Sequence, residues 1–343
     1  NPYAVAATRN AVKERDLDIE VSEGGPGPSG DGKVRQWAGE NPPDFIVWNL
    51  PYLTPKDEEN YLGPMEEAGL LDTDVEGLIN RLLTQVSKHD LLTPSGVIFL
   101  IVSSEGIGSK GPRICLSHGF ASRIVGTTEF ESKEQLNVLA AWRPYANLKT
   151  THLETVDSTS TSLLESDDEV GTLLTAGIQT KGHGRRGRQW VHGESAFAGS
   201  WVIQQGRLKV EPGILQLQAG MALLETIQAV TIHPERALLK WPNDVLIQSS
   251  GKIAKVGGVL IEGKSQGKSD RFVLGIGCNI SKEHLENRGF ESSALEELSP
   301  QCSVEKFTRI LHASVASWFE EKLHVKRRKK SALLTVFRKN IML

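Results

Sequence analysis

The stretch Gly182-His183-Gly184-Arg185-Arg186-Gly187-Arg188-Gln189-Trp190 puts three arginines and three glycines into nine residues and closes on a tryptophan. Glycine lets a backbone bend and approach a ligand closely. Arginine adds a fixed fork of donors suited to phosphates and carboxylates. Such a loop is poor at packing and good at wrapping an anion. An exposed basic turn is the plainer alternative, and on these residues alone both stay open.

Other stretches carry groups of the same kind. Lys240-Trp241-Pro242-Asn243-Asp244 interrupts an apolar run, and its proline marks a break or bulge in the strand. Lys255-Val256-Gly257-Gly258 offers a lysine at the entry of a strand whose glycines allow close approach. Asp157-Ser158-Thr159-Ser160 is a hydroxyl-rich turn able to cap the helix after it. Gly275-Ile276-Gly277-Cys278-Asn279 ends another strand. In the first half, Asn49-Leu50-Pro51-Tyr52 follows a buried-strand run, where a stiff turn can aim carbonyls and an amide outward. Those groups could hold a planar NH2 next to a methyl donor; a plain strand-ending turn is the alternative.

The elements that would position these residues are legible from periodicity. Residues 2–15 read as a helix, with Asn1 as its cap, and 17–21 alternate as a short strand. Residues 24–32 form a Gly/Pro-rich loop. Strands are expected over 44–48 and 96–102, a helix over 78–92, and an antiparallel pair over 125–129 and 136–142. That alternation suggests a doubly wound sheet with an antiparallel edge. Such sheets bind ligands beyond the carboxyl ends of their strands, where Asn49–Tyr52 lies.

After a boundary at Pro144 to His152, strands are expected over 153–156, 173–179, 201–203, 238–247, 255–262 and 271–280. A helix over 214–230 would bury Leu215, Leu217, Ala222, Leu223 and Ile227, and helices over 304–323 and 326–340 end the chain. Consecutive strands with helices to one side indicate α+β. Trp241 and Pro242 are expected to pack rather than bind, and Cys278 to be a small core residue.

The 343 residues suggest two or three domains, and 39% hydrophobic with 24% charged residues is an ordinary globular composition. The net charge of −3 hides an asymmetry. Residues 1–145 carry 13 basic and 21 acidic side chains, a balance of −8, and residues 146–343 carry 26 and 21, a balance of +5. Opposite balances point to two domains with different partners. No apolar run approaches the ~20 residues of a membrane span, and no secretory signal is visible. Three cysteines without CxxC spacing argue against a disulfide framework or zinc site and fit a cytoplasmic location.

From about residue 153 to 340, five motifs in one order resemble biotin–protein ligases: Asp157–Ser160 with Gln179, the Gly182–Trp190 loop, Lys240–Asp244, Lys255–Glu262 and Gly275–Ser281. The resemblance implies an α+β biotin/lipoate ligase-like catalytic domain over 147–343, related to class II aminoacyl-tRNA synthetases. It implies formation of biotinyl-5′-AMP from biotin and ATP, then transfer to a lysine of a biotin carboxyl carrier domain. Lys255, Arg185 and Arg188 are then the catalytic candidates. Ser158, Thr159, Ser160, Gln179, His183, Gly184, Arg185 and Lys255 would contact biotin. Arg188, Trp190, Lys240, Asn243, Asp244 and Asn279 would contact the nucleotide, with Asn279 beside Mg2+. His183 stands where the family usually has arginine, and Ser160 where it usually has asparagine. The family's C-terminal SH3-like barrel does not follow Leu343, so truncation is expected.

The first half, through the form of Asn1–Ala11 and Asn49–Tyr52, resembles the C-terminal part of glutamine N5-type methyltransferases that use S-adenosylmethionine. The implied fold over 1–146 is a partial Rossmann-like α/β domain. The family's glycine-rich loop and ribose-binding acid are missing, so the domain is N-terminally incomplete and activity is not assumed. Lipoate-type ligation, amino-group methylation and non-catalytic biotin sensing are the alternative functions. No membrane or nucleic-acid partner is expected, and a homodimer is left open.

Overall fold

The computed structural model describes residues 2–27, 34–51, 69, 71–131, 133–190, 195–207, 210–266, 269–283, 285, 291–327 and 341–342. They form two compact units: Asn1–His118 with Ile124–Trp142, and Gly119–Arg123 with Arg143–Leu343.

In the first unit, α1 (Pro2–Glu14) and α2 (Val34–Ala38) precede β1 (Phe45–Asn49). After them come α3 (Leu78–His89), β2 (Val97–Ser103), α4 (Gly111–Ser117), β3 (Ala121–Glu129) and β4 (Gln135–Trp142). The sheet order is β1-β2-β4-β3. β1 and β2 are parallel, while β4 runs antiparallel to β2. The apolar positions Ile79, Leu82, Leu83 and Val86 recur at helical spacing and are all buried. Asp72 accepts from the Leu78 amide at 2.9 Å and so satisfies an orphan donor at the start of α3. The expected strand over 17–21 is not formed. Leu17 and Ile19 are exposed and the segment joins no ladder, so its alternation buries no face.

The second unit has an eight-stranded sheet among the described residues, in the order β12-β8-β9-β10-β11-β7-β6-β5. Its strands are β5 (Thr150–Val156), β6 (Leu173–Gln179), β7 (Ala196–Gln205), β8 (Ala237–Lys240), β9 (Asp244–Ser249), β10 (Lys252–Gln266), β11 (Ser269–Asn279) and β12 (Ile341–Met342). The β5–β6 and β8–β12 pairs are parallel and the remaining neighbours antiparallel. The run over 238–247, expected as a strand with a break or bulge at Pro242, is a hairpin in which Trp241–Asn243 turn β8 back onto β9.

Two-residue alternation divides this sheet into two faces. On one face Phe197 and Trp201 of β7 meet α7 (Val304–Phe319), with Phe197 against Phe307 and Trp201 stacked on His312. The long helix α6 (Pro212–Val230) buries Leu215, Leu217, Ala222, Leu223 and Ile227. On the other face Val202 and Val273 pack with Leu163 of α5 (Thr159–Glu165) and with Leu174. All three cysteines are buried. The helix expected over 304–323 stops at Phe319, and that expected over 326–340 falls mostly outside the described residues.

Candidate functional site

The α5 face of the large sheet carries a cavity of about 510 Å3. Its floor follows from strand register. Ser200 lies opposite Gly275, Ala198 opposite Gly277, and Gly258 and Leu260 oppose Gly277 and Gly275 on the next strand. Ser200, Gly275, Gly277, Gly258 and Leu260 therefore share one face, and all line the cavity. The glycines make the room. A Cβ on Gly277 would sit 2.5 Å from the Trp190 ring, and one on Gly275 would sit 2.6 Å from Ser160 Oγ.

At one end, Ser158 caps α5 by accepting from the Thr161 amide at 3.3 Å. Gln179 Oε1 accepts from both the amide and the hydroxyl of Thr159, at 2.8 and 3.0 Å. Ser200 Oγ lies 2.7 Å from Thr159 Oγ1 and 2.9 Å from Ser160 Oγ. Three hydroxyls can thus align toward the Gln179 carbonyl, which leaves that side chain's NH2 to serve as donor. Ser200 was missed by sequence reasoning. Its one signal is a lone hydroxyl in the apolar run Ala196–Ile203, where a buried polar group must find a partner.

The Gly182–Trp190 segment forms one wall as a small hairpin. Trp190 N donates to Gly182 O at 2.8 Å and Gly184 N to Arg188 O at 2.7 Å, with His183 bridged to Gln189. Arg185–Gly187 make a tight tip in which Arg186 adopts φ +59 and Gly187 φ +70. The hairpin is anchored outward twice. Arg185 Nη1 donates to Asn243 Oδ1 at 3.1 Å, and His183 Nε2 lies 2.9 Å from Glu262 Oε1. The Glu262 contact holds the His183 pKa above the ordinary imidazole value, against the opposing effect of burial.

The opposite end is basic. Asn243 Nδ2 donates to Asp244 Oδ1 at 3.2 Å, and Lys255 Nζ lies 2.7 Å from the same oxygen. Arg185, Asn243, Asp244 and Lys255 are therefore linked across three elements. Lys255 owes its direction to a β-bulge. Lys255 opposes Leu246, yet Gly257 opposes Val245, so one residue is inserted between them. Without it, alternation would turn Lys255 away from the face that carries Gly258. Its backbone pairs instead with Glu291 and Ser293, at 3.0 and 2.8 Å. Lys252 lies apart, 3.7 Å from Glu291.

Arg185, Arg186, Arg188, Lys240 and Lys255 line the cavity, and Asp244 is the single carboxylate among its described lining residues. Low-dielectric walls with this imbalance favour an anionic ligand. Of the residues singled out in the second half, Ser158, Thr159, Ser160, Gln179, His183, Gly184, Arg185, Arg188, Trp190, Lys240, Asn243, Asp244 and Lys255 all border it. Asn279 does not: its Nδ2 donates to Ser293 O at 3.0 Å. Trp241 and Pro242 were expected to pack. Both border the cavity, Trp241 53% exposed and Pro242 partly buried in the turn between β8 and β9. In the first unit, Asn49 ends β1 and Leu50 is buried, while Tyr52 lies outside the described residues.

Residues 152–279 match the Biotin/lipoate A/B protein ligase family. A biotin--[acetyl-CoA-carboxylase] ligase of Paracoccus denitrificans is 36% identical over 104 residues, 30% of this chain and 42% of the relative. A protein of the same name from Mycobacterium tuberculosis is 36% identical over 120 residues, 33% of this chain and 40% of the relative. The chain thus spans about two fifths of the length of these curated relatives. Among solved structures, a biotin protein ligase from Aquifex aeolicus in complex with biotin and ATP is 28% identical. It matches at a TM-score of 0.42 over 51% of this chain and 73% of that one. The first unit lies outside the matched family segment.

Proposed function

We propose that residues 147–343 act as an ATP-dependent biotin–protein ligase domain. The observation that carries this reading is one cavity, within the matched segment, with a hydroxyl–amide cluster at one end and linked cations at the other. The ureido group of biotin both donates and accepts hydrogen bonds, which suits Gln179, Ser158, Thr159 and Ser160. Its carboxylate would then extend toward Lys255, Arg185 and Arg188.

A biotin carboxylate oxygen attacks the α-phosphorus of ATP; the P–O bond to pyrophosphate breaks, giving biotinyl-5′-AMP. Charge grows around the α-phosphate during this step, and Lys255, Arg185 and Arg188 would meet it as pre-positioned cations. The neutral amine of an acceptor lysine then attacks the acyl carbon. AMP leaves, the nitrogen loses a proton, and an amide remains. The acceptor is a biotin carboxyl carrier domain, and a cytoplasmic setting fits the free cysteines. Lys240, Asn243 and Trp190 border the nucleotide end.

Mg2+ accompanies ATP in this chemistry. Among the described residues no group of three or more His, Cys, Asp or Glu side chains is placed to hold a metal ion. An ion carried on the nucleotide's phosphates would instead find Asp244 as its protein carboxylate, the usual pattern for Mg2+. The decisive experiment is biotin-dependent ATP–pyrophosphate exchange, with lipoate as the control acid. Exchange with lipoate but not biotin would reject the reading.

For residues 1–146 we propose a methyltransferase-like domain, supported by the position of Asn49–Pro51 at the carboxyl end of a parallel strand. Calorimetric titration with S-adenosylmethionine tests it; the absence of binding heat would count against it.

A further inference from the structure

Of the two anchors of the hairpin loop, the one to strand β10 runs through His183 and Glu262. Both ring nitrogens of His183 face acceptors: Nε2 is 2.9 Å from Glu262 Oε1 and Nδ1 is 3.3 Å from the Lys181 carbonyl. A neutral imidazole has one N–H and one lone pair, so it can satisfy only one of these. The doubly protonated ring satisfies both. Glu262 Oε2 is buried and accepts no hydrogen bond among the described residues. One carboxylate oxygen is thus engaged by His183 while the other is left over.

Glu262 of β10 contacts His183, and the charged side chains that share the cavity lining with it are Arg185, Arg186 and Arg188 of the loop, Lys240 and Asp244 of the β8–β9 hairpin, and Lys255. Lys181 is committed to Asp157 at 2.8 Å, and Asp244 to Lys255. Among the described residues only Glu262 lies within ion-pair distance of the ring.

We propose that Glu262 is a positioning residue that latches the Gly182–Trp190 loop through protonated His183, so retention of a bound acyl-adenylate weakens as the medium becomes alkaline. The proposal rests on the ligase reading for the identity of the retained ligand; the latch itself rests on the two contacts. The sign follows from the direction of the shift. A histidine whose folded pKa is raised contributes fully below the ordinary value of 6.5 and loses that contribution as pH rises through the folded value. An arginine at position 183 would stay charged and could meet both Glu262 oxygens with its fork.

The test uses the full chain. Biotinyl-5′-AMP is formed in place from labelled biotin and ATP, and its release is followed from pH 5.5 to 8.5 after a chase with unlabelled biotin. For a partly exposed pair, release at the alkaline end should be about two- to fivefold faster than at the acid end. Glu262→Gln should release fast at every pH. His183→Arg should release slowly at every pH, and the double variant should lose that gain. Superimposable profiles for the native chain and Glu262→Gln would overturn the proposal. Separately, the His183 ring resonance, assigned by its loss in His183→Arg, is titrated in the ligand-free chain. Its midpoint should fall in Glu262→Gln, and an unmoved midpoint also overturns the latch. That result is independent of adenylation, whereas a lack of biotin-dependent exchange would instead reject the ligase reading.

Discussion

Lys255 Nζ and Asp244 Oδ1 lie 2.7 Å apart on one face of neighbouring strands, and the β-bulge after Lys255 is what brings them there. The ion pair holds the ammonium at the cavity wall with Asn243 and Arg185 in the same chain of contacts. Removing the cation leaves Asp244 facing the ligand's negative charge without its partner. Lys255→Ala should lower biotin-dependent ATP–pyrophosphate exchange on the order of 100-fold or more, with an unchanged circular dichroism spectrum. Near-native exchange would remove Lys255 from its proposed role.

Ser200 connects two hydroxyls that the sequence presents as part of a separate turn. In Ser200→Ala, Thr159 and Ser160 lose a shared partner in a buried setting. A lost hydrogen bond of this kind costs about 1 kcal/mol, so calorimetry should report roughly five- to tenfold weaker biotin binding. Binding of native strength would mean that the two hydroxyls are held adequately by Gln179 and the ligand.

Gly277 leaves the space that the Trp190 indole occupies. In Gly277→Ala the added methyl must displace ring or strand, and overpacking of this kind costs about 1–3 kcal/mol. The expected outcome is loss of ligand affinity with a shift in tryptophan emission. The floor glycine would prove dispensable if both measurements stayed at native values.

His312 carries a pH signature unrelated to the cavity. Burial lowers its pKa to about 4, and the Trp201 indole N–H donates to its Nδ1 at 3.0 Å, which requires that nitrogen to be unprotonated. The unfolded chain therefore binds the extra proton more readily. Stability from this group is complete above pH 6.5 and falls as pH drops from there toward 4, by up to about 3 kcal/mol. Urea melts between pH 4.5 and 7 should show this slope in the native chain and a flatter one in His312→Asn. Parallel curves would refute the assignment.

Much of this protein is local and so is written in the chain. The Gly/Arg loop, the hydroxyl turn that caps α5, the apolar periodicity of α6 and α7, and the break at Pro242 each depend on neighbours within a few residues. Sequence patterning captures such features because their physics is short-ranged. It overreached at residues 17–21, where alternation had no partner strand, and at Trp241, where aromaticity suggested packing. Tertiary structure alone decided what depends on register. It set which strand lies beside which, that Ser200 meets Thr159, that Gly277 yields to Trp190, and that His183 reaches Glu262, 79 residues away. The clearest case is Lys255. A strict two-residue period would turn it off the cavity face, and only the inserted residue seen against β9 turns it back.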